Sequence, residues 1–120
     1  LGVKTFCFSD NSSALTAWSN DTDYDNSFEG QLSVFFEEGD LVIGYSGSGN
    51  SANVINALKF AKLNGGETIA VTGNYRGKGI GLIGTIADLS IVFDTESMER
   101  IEDLQLILNH IVKEAIKAGI

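Results

Sequence analysis

The sharpest constraint on this chain is the passage from Leu41-Val42-Ile43-Gly44-Tyr45 through Ser46-Gly47-Ser48-Gly49-Asn50-Ser51 into a helical pattern that begins near Ala52. A short apolar run, a Gly/Ser loop and an amphipathic segment in that order read as strand, turn and helix. The first-turn N–H groups of such a helix have no intrahelical acceptor, and its dipole puts partial positive charge there. Glycines let the backbone approach an anion, and the three serines add hydroxyl donors. The junction therefore predicts a phosphate-binding loop. It contains no lysine, which suits a phosphomonoester on a small molecule better than a nucleoside triphosphate. The plainer alternative is a polar connection that happens to be Gly-rich, although three serines around two glycines are more than a turn requires.

The loop also spells G-x-G-x-x-A at Gly47, Gly49 and Ala52, a variant of the dinucleotide fingerprint. A dinucleotide site wants a carboxylate near the end of the next strand to hold ribose hydroxyls. That strand ends Val71-Thr72-Gly73-Asn74, so no nucleotide cofactor is expected. Hydrogen bonds to a charged group contribute about 1.5–3 kcal/mol each, while association costs an estimated 4–15 kcal/mol. Capture of a phosphate alone would be weak, and the rest of the ligand must contribute.

Four segments read as strands: Val3–Phe8, Leu41–Tyr45, Thr68–Thr72 and Leu89–Phe93. Each is a short apolar run without strict alternation, the mark of strands covered on both faces. Helical patterns fall at Ser12–Trp18, Ser27–Phe36, Ala52–Leu63, the Gly-interrupted Lys78–Ile86, and Met98 to Lys117. Alternating strands and helices predict an α/β chain, a three-layer αβα sandwich around a parallel sheet. The whole of residues 1–120 reads as a single domain. Asn64-Gly65-Gly66 supplies left-handed positions to end the third helix, and Ser97 is placed to cap the last.

The net charge of −8 argues against nucleic acid and against an anionic membrane surface, both of which need a basic face. An anionic ligand must then be held by local donors, because the global field repels it. The single Cys7 reads as a buried apolar residue within a strand. No signal peptide or membrane span is legible, so a cytoplasmic location is the default. Leu1 is not methionine and leads straight into a strand pattern, which predicts that an N-terminal portion precedes it.

The last helix carries a second constellation. At about 100° per residue, Glu99, Glu102, Asp103, Leu106 and His110 share one arc, while Ile101, Leu104, Ile107, Leu108, Ile111, Val112 and Ala115 take the other side. The broad apolar face predicts a buried helix with one acidic-plus-histidine stripe. Such a stripe can bind a divalent metal or exchange protons near neutral pH; it can equally be a solvated face. Asn20-Asp21-Thr22-Asp23-Tyr24-Asp25-Asn26 opens like a calcium loop, but its sixth position is Asn26 and its twelfth Leu32, which excludes that site. It reads either as a solvated turn capping the helix near Ser27 or as a polar ligand contact. Gly73 to Gly84 carries Arg76 and Lys78, a basic pair that could meet an anion, but reads more readily as a flexible αβ loop.

Together these residues resemble the SIS (sugar isomerase) domain. Gly39-Asp40 precedes the strand, the Ser46–Ser51 loop follows it, and Asn53-Val54-Ile55-Asn56-Ala57 opens the helix. Thr72-Gly73, Gly77-Lys78, Ala87-Asp88 and Arg100-Ile101 fit the same pattern, and the resemblance covers essentially the whole chain. Within that superfamily the chain is similar to the phosphoheptose isomerases, with Ser9-Asp10 and Asn20-Asp21 resembling their segment. Those enzymes interconvert sedoheptulose 7-phosphate and a heptose 7-phosphate, a ketose–aldose isomerisation.

The resemblance implies that Ser46, Ser48 and Ser51 hold the phosphate of a phosphorylated sugar while Gly47 and Asn50 shape the loop. It implies that Asn20 and Asp21 line the sugar site, and that Glu99 contacts the sugar. His110 matches a catalytic acid/base that also ligates zinc, and Glu102 stands where the family usually has a zinc-ligating glutamine. The first strand, a Gly-Gly-Ser loop and the preceding helices of the family have no counterpart here, and they carry a second catalytic group and further metal ligands. The family is commonly homotetrameric, with active sites that straddle subunits. The resemblance also allows a non-catalytic module, either a protein-binding regulator of the kind that engages a replication initiator or a phosphosugar sensor.

Overall fold

The computed structural model describes residues Gly2 to Gly119; Leu1, read above as leading straight into a strand, lies outside the described residues, as does Ile120. Three strands form the sheet: β1 (Leu41–Tyr45), β2 (Glu67–Gly73) and β3 (Leu89–Phe93). The described residues also form five α-helices: α1 (Ser12–Asp21), α2 (Ser27–Phe35), α3 (Ala52–Leu63), α4 (Gly81–Ile86) and α5 (Met98–Ala118). The strand order is β1-β2-β3 and both pairings are parallel. Tyr45 lies opposite Val71 at one junction, and Gly73 opposite Phe93 at the other.

Alternation along the strands sorts the layers. Gly44 faces Val54 and Leu58 of α3, and Ser90 of β3 donates from Oγ to the Gly84 carbonyl of α4 at 2.7 Å. Gly73 presents its Cα to Ile101 of α5 on the opposite face. The αβα layering and the parallel sheet read from the sequence are therefore present. Val54, Leu58, Ala70 and Ile83 form one core between α3, α4 and the sheet. Leu32, Ala57 and Ala61 form a second, beneath Phe8, Phe28, Phe36 and Phe60. A fully buried leucine such as Leu58 contributes roughly 1.5–3 kcal/mol.

Four expectations need correction. Val3–Phe8 is not a strand, because it pairs with none of the three strands and a lone strand has no ladder to join. Its contacts are instead with α2: Phe6 stacks on Phe35 with ring centroids 4.9 Å apart, and the Gln31 side chain donates to the Phe8 carbonyl at 3.1 Å. Cys7 in this segment is consequently exposed rather than buried. Helix α4 starts only at Gly81, since Gly77, Gly79 and Gly81 all take positive φ and Tyr75–Gly77 forms a 3-10 turn.

The fourth correction concerns α5. Its limits match the sequence reading, and the Ser97 hydroxyl accepts from Arg100 N at its start. Only Ile101 is buried, however, while Leu106, Ile107, Ile111, Val112 and Ile116 stand exposed, Ile111 by 61%. The sheet beneath α5 is three strands wide, and beyond the first turns the side-chain hydrogen bond that joins α5 to it is that between Tyr45 and Asn109, so much of the apolar stripe is left uncovered. No helix among the described residues is long and apolar enough to cross a membrane.

Candidate functional site

The serine loop sits where β1 ends and α3 begins, at the carboxyl rim of the sheet. Ser46 extends the ladder by donating its N–H to the Val71 carbonyl at 3.0 Å. Gly49 N then bonds back to Ser46 O at 3.0 Å, closing a tight turn that requires φ +70° at Gly49. The turn brings Ser46 Oγ and Ser51 Oγ to 2.9 Å, although Ser46 is buried and Ser51 exposed. Ser48 Oγ accepts from Asn50 N at 3.3 Å.

Asn50 shapes the loop. Its Nδ2 donates to Ser48 O at 3.1 Å, and its Oδ1 accepts from Leu82 N at 3.0 Å. Gly49 O accepts from Ile83 N at 2.9 Å, so two bonds tie the loop to the start of α4. A Cβ on Gly49 would collide with the Ile80 carbonyl, which fixes glycine there on space as well as on φ. Gly47 is constrained less strictly: a Cβ would strike Met98 Sδ at the first residue of α5, a flexible side chain that would have to move. The amides of Ala52 and Asn53 have no acceptor within α3, and the Ser51 side chain does not cap them. Hydroxyls and free amides thus share one spot at a helix N-terminus, an arrangement suited to an anion.

The start of α5 abuts this loop through the Gly47–Met98 contact, and that brings Glu99 to the same rim. The Glu99 carboxyl is held below its ordinary range, first by its own backbone N–H and then by the Ser97 hydroxyl, which donates at 2.7 Å. Glu99 is therefore engaged as part of its helix start.

Glu102 and His110 lie elsewhere. Nine residues separate Ile101 from His110, about 180° around the helix, so His110 points away from the sheet that Ile101 packs on. About 18 Å of rise also separates His110 from Met98, the residue packed on the serine loop. Both side chains are exposed. Among the described residues no three acidic, histidine or cysteine groups come together to hold a metal. Glu102 and His110 supply two donors where a catalytic zinc takes three from protein, so this chain's residues alone do not fit the ion.

Asn20 and Asp21 end α1, and Asn20 Nδ2 donates to Asp21 Oδ1 at 3.2 Å. Asp21 lines a shallow hollow of about 150 Å³ with Ala17, Trp18 and Thr22. A second hollow of about 250 Å³ lies between Trp18, Asn26, Glu29 and Ser33. Neither includes a serine-loop residue. Within the following turn Asp23 accepts from Asn26 N at 3.0 Å, as a solvated capping turn should.

The sequence profile of the SIS domain matches residues 3–73. The chain belongs to the SIS domain family. Among curated SIS relatives, a phosphoheptose isomerase of Aliarcobacter butzleri is 37% identical over 96% of this chain and 59% of its own length. A probable phosphoheptose isomerase of Thermoplasma volcanium is 42% identical over 88% of this chain and 52% of its own. Among solved SIS structures, the phosphoheptose isomerase of Neisseria gonorrhoeae superposes with a TM-score of 0.85 at 33% identity, over 94% of this chain and 61% of that one. The phosphoheptose isomerase of Francisella tularensis, at 20% identity and a TM-score of 0.84, shares the fold. The chain thus spans between half and three-fifths of the length of these SIS relatives.

Two connections escaped the sequence reading because both join distant positions. Met98 seals the loop at Gly47, and the Tyr45 hydroxyl donates to Asn109 Oδ1 at 2.6 Å across 64 positions. No local periodicity carries such a signal.

Proposed function

We propose that this chain is the phosphosugar-binding part of a ketose–aldose isomerase acting on a phosphorylated sugar, sedoheptulose 7-phosphate being the preferred candidate. The observation that carries the reading is the Ser46–Ser51 hydroxyl pair at 2.9 Å beside the open amides of α3. In this scheme Ser46, Ser48 and Ser51 hold the phosphate, Gly47 and Asn50 keep the loop in shape, and Asn20, Asp21 and Glu99 contact the sugar. His110 takes the proton from the carbon bearing the ketose's terminal hydroxyl. An enediol results, with the carbonyl oxygen becoming a hydroxyl. Return of a proton to the adjacent carbon, with loss of the terminal hydroxyl's proton, gives the aldose.

His110 faces away from its own sheet, so it serves a ligand bounded by residues outside this chain's own fold. The reading accordingly extends to a homotetramer in the cytoplasm, with sites formed between subunits. The exposed apolar residues of α5 support that assembly, as does Gln105 Nε2, which is buried with no hydrogen-bond partner among the described residues. Zinc enters the proposal only with ligands beyond Glu102 and His110, and no step here is routed through it.

The test is turnover of sedoheptulose 7-phosphate by the full-length protein and by His110→Ala. Loss of turnover with retained ligand binding is expected, and an active His110→Ala protein would refute the assignment. Glu102, a carboxylate where the family usually has glutamine, favours a second reading as a non-catalytic phosphosugar-binding or protein-binding regulator. Binding of the sugar phosphate without turnover by the wild type would select it.

A further inference from the structure

Helix α5 is held to the sheet mainly at its start, by Met98 against Gly47 and Ile101 against Gly73. Beyond that point Leu104, Gln105, Leu108 and Ala115 are only half-buried, and the residues between them are exposed. One side-chain hydrogen bond joins this stretch to the sheet among the described residues: Tyr45 Oη donates to Asn109 Oδ1 at 2.6 Å. The other hydrogen bonds and ion pairs of α5 side chains are local.

The two ends of that bond sit next to residues of the proposed site. Tyr45 is the last residue of β1 and is peptide-bonded to Ser46, the buried serine of the loop. Asn109 is peptide-bonded to His110. Burial pushes the Tyr45 phenol above its ordinary value, so it remains a donor throughout the neutral range. A helix is stiff over one residue, so lifting α5 at Asn109 displaces His110 by nearly the same amount. Misplacement of a reacting group by about 1 Å can cost on the order of a hundredfold in rate.

We infer that Tyr45 and Asn109 form a latch that fixes the course of α5 from the serine loop to His110, making both of them positioning residues for the isomerisation. The inference rests on the isomerase reading above. The latch touches neither phosphate nor reacting carbon, so its loss should appear in kcat and leave KM alone.

The experiment compares Tyr45→Phe, Asn109→Leu, their double variant, Asn109→Asp and His110→Ala in the full-length protein, by steady-state kinetics and by amide hydrogen exchange. Tyr45→Phe and Asn109→Leu should each lower kcat about three- to tenfold, the population factor set by one intramolecular hydrogen bond, with KM unchanged within about twofold. The double variant should be no worse than either single one. Asn109→Asp, which keeps the acceptor, should restore kcat, a rescue that a merely structural loss would not show. Amides of residues 104–112 should exchange faster in Tyr45→Phe while those of residues 47–54 do not. Wild-type kcat in both single variants, additive losses in the double variant, or unchanged exchange would each overturn the latch. An active His110→Ala variant overturns the isomerase assignment and with it the kinetic half of this inference. An inactive one beside a fully active Tyr45→Phe overturns the latch alone.

Discussion

Ser46 Oγ and Ser51 Oγ face each other at 2.9 Å across the turn between β1 and α3. Each hydroxyl carries one proton, and their mutual bond uses one of the two. The pair therefore offers a ligand one proton from the hydroxyls while each oxygen holds the other in place.

Replacing Ser51, the exposed member, with alanine should raise KM for a sugar phosphate about tenfold or more, the value of one hydrogen bond to a charged group. The value of kcat should stay within about twofold. Steady-state kinetics on the full-length protein, or calorimetric titration with the sugar phosphate, checks both numbers. An unchanged KM would mean that the phosphate sits elsewhere.

Gly49→Ala should destabilise the fold itself. The φ of +70° costs a residue with a Cβ about 1–2 kcal/mol, and the new methyl meets the Ile80 carbonyl, a backbone group that cannot rotate away. Overpacking adds about 1–3 kcal/mol. A fall in Tm of roughly 10 °C is expected by circular dichroism. Gly39→Ala is the control, since its φ is also positive but nothing lies within reach of a Cβ.

Asp88 gives stability an acid-side dependence. Lys62 Nζ, donating at 2.6 Å, and then Thr68, which donates from Oγ1 at 2.7 Å and from its backbone N at 2.9 Å, hold its carboxyl at about 2 instead of 3.8. The folded pKa is the lower one, so this stabilisation is fully present above the unfolded value and is lost as pH falls from about 4 towards about 2. Asp88→Asn should flatten the urea midpoint's pH dependence across that window. It should have little effect on its shape between pH values of roughly 6 and 8.

The zinc site proposed above has a test of its own: if its ligands include both stripe residues, the zinc affinity of the full-length protein should respond to each. Glu102→Gln exchanges a charged donor for a neutral one and should weaken zinc about tenfold, and His110→Ala should weaken it further. Competition with a chelating dye measures each. Equal affinity in all three proteins would remove both residues from the ligand set.

What could be read from the residues divides by range. Leu41–Tyr45, Ala52–Leu63 and Leu89–Phe93 fall where their patterns put them, because a strand of five and a helix ended by Gly65 at φ +82° are specified locally. The serine loop was legible for the same reason, its glycines and hydroxyls being contiguous. Val3–Phe8 has a strand's composition, yet strand identity also needs a neighbour in register, and no local pattern encodes that. Periodicity likewise showed which side of α5 is apolar without showing how little of that side the sheet covers. The opposed directions of His110 and Ile101 were implicit in their spacing; their meaning depended on which side the sheet lay.

The rim formed by Leu41–Tyr45 has a practical consequence. Among the described residues β1 has a strand neighbour on one side only, and Leu41 and Ile43 are exposed. A bare main-chain edge flanked by apolar groups is adhesive toward other extended polypeptide. Material limited to residues 1–120 would clump at the concentrations that crystallisation needs, and Ile43→Lys is the simplest change to keep it dispersed.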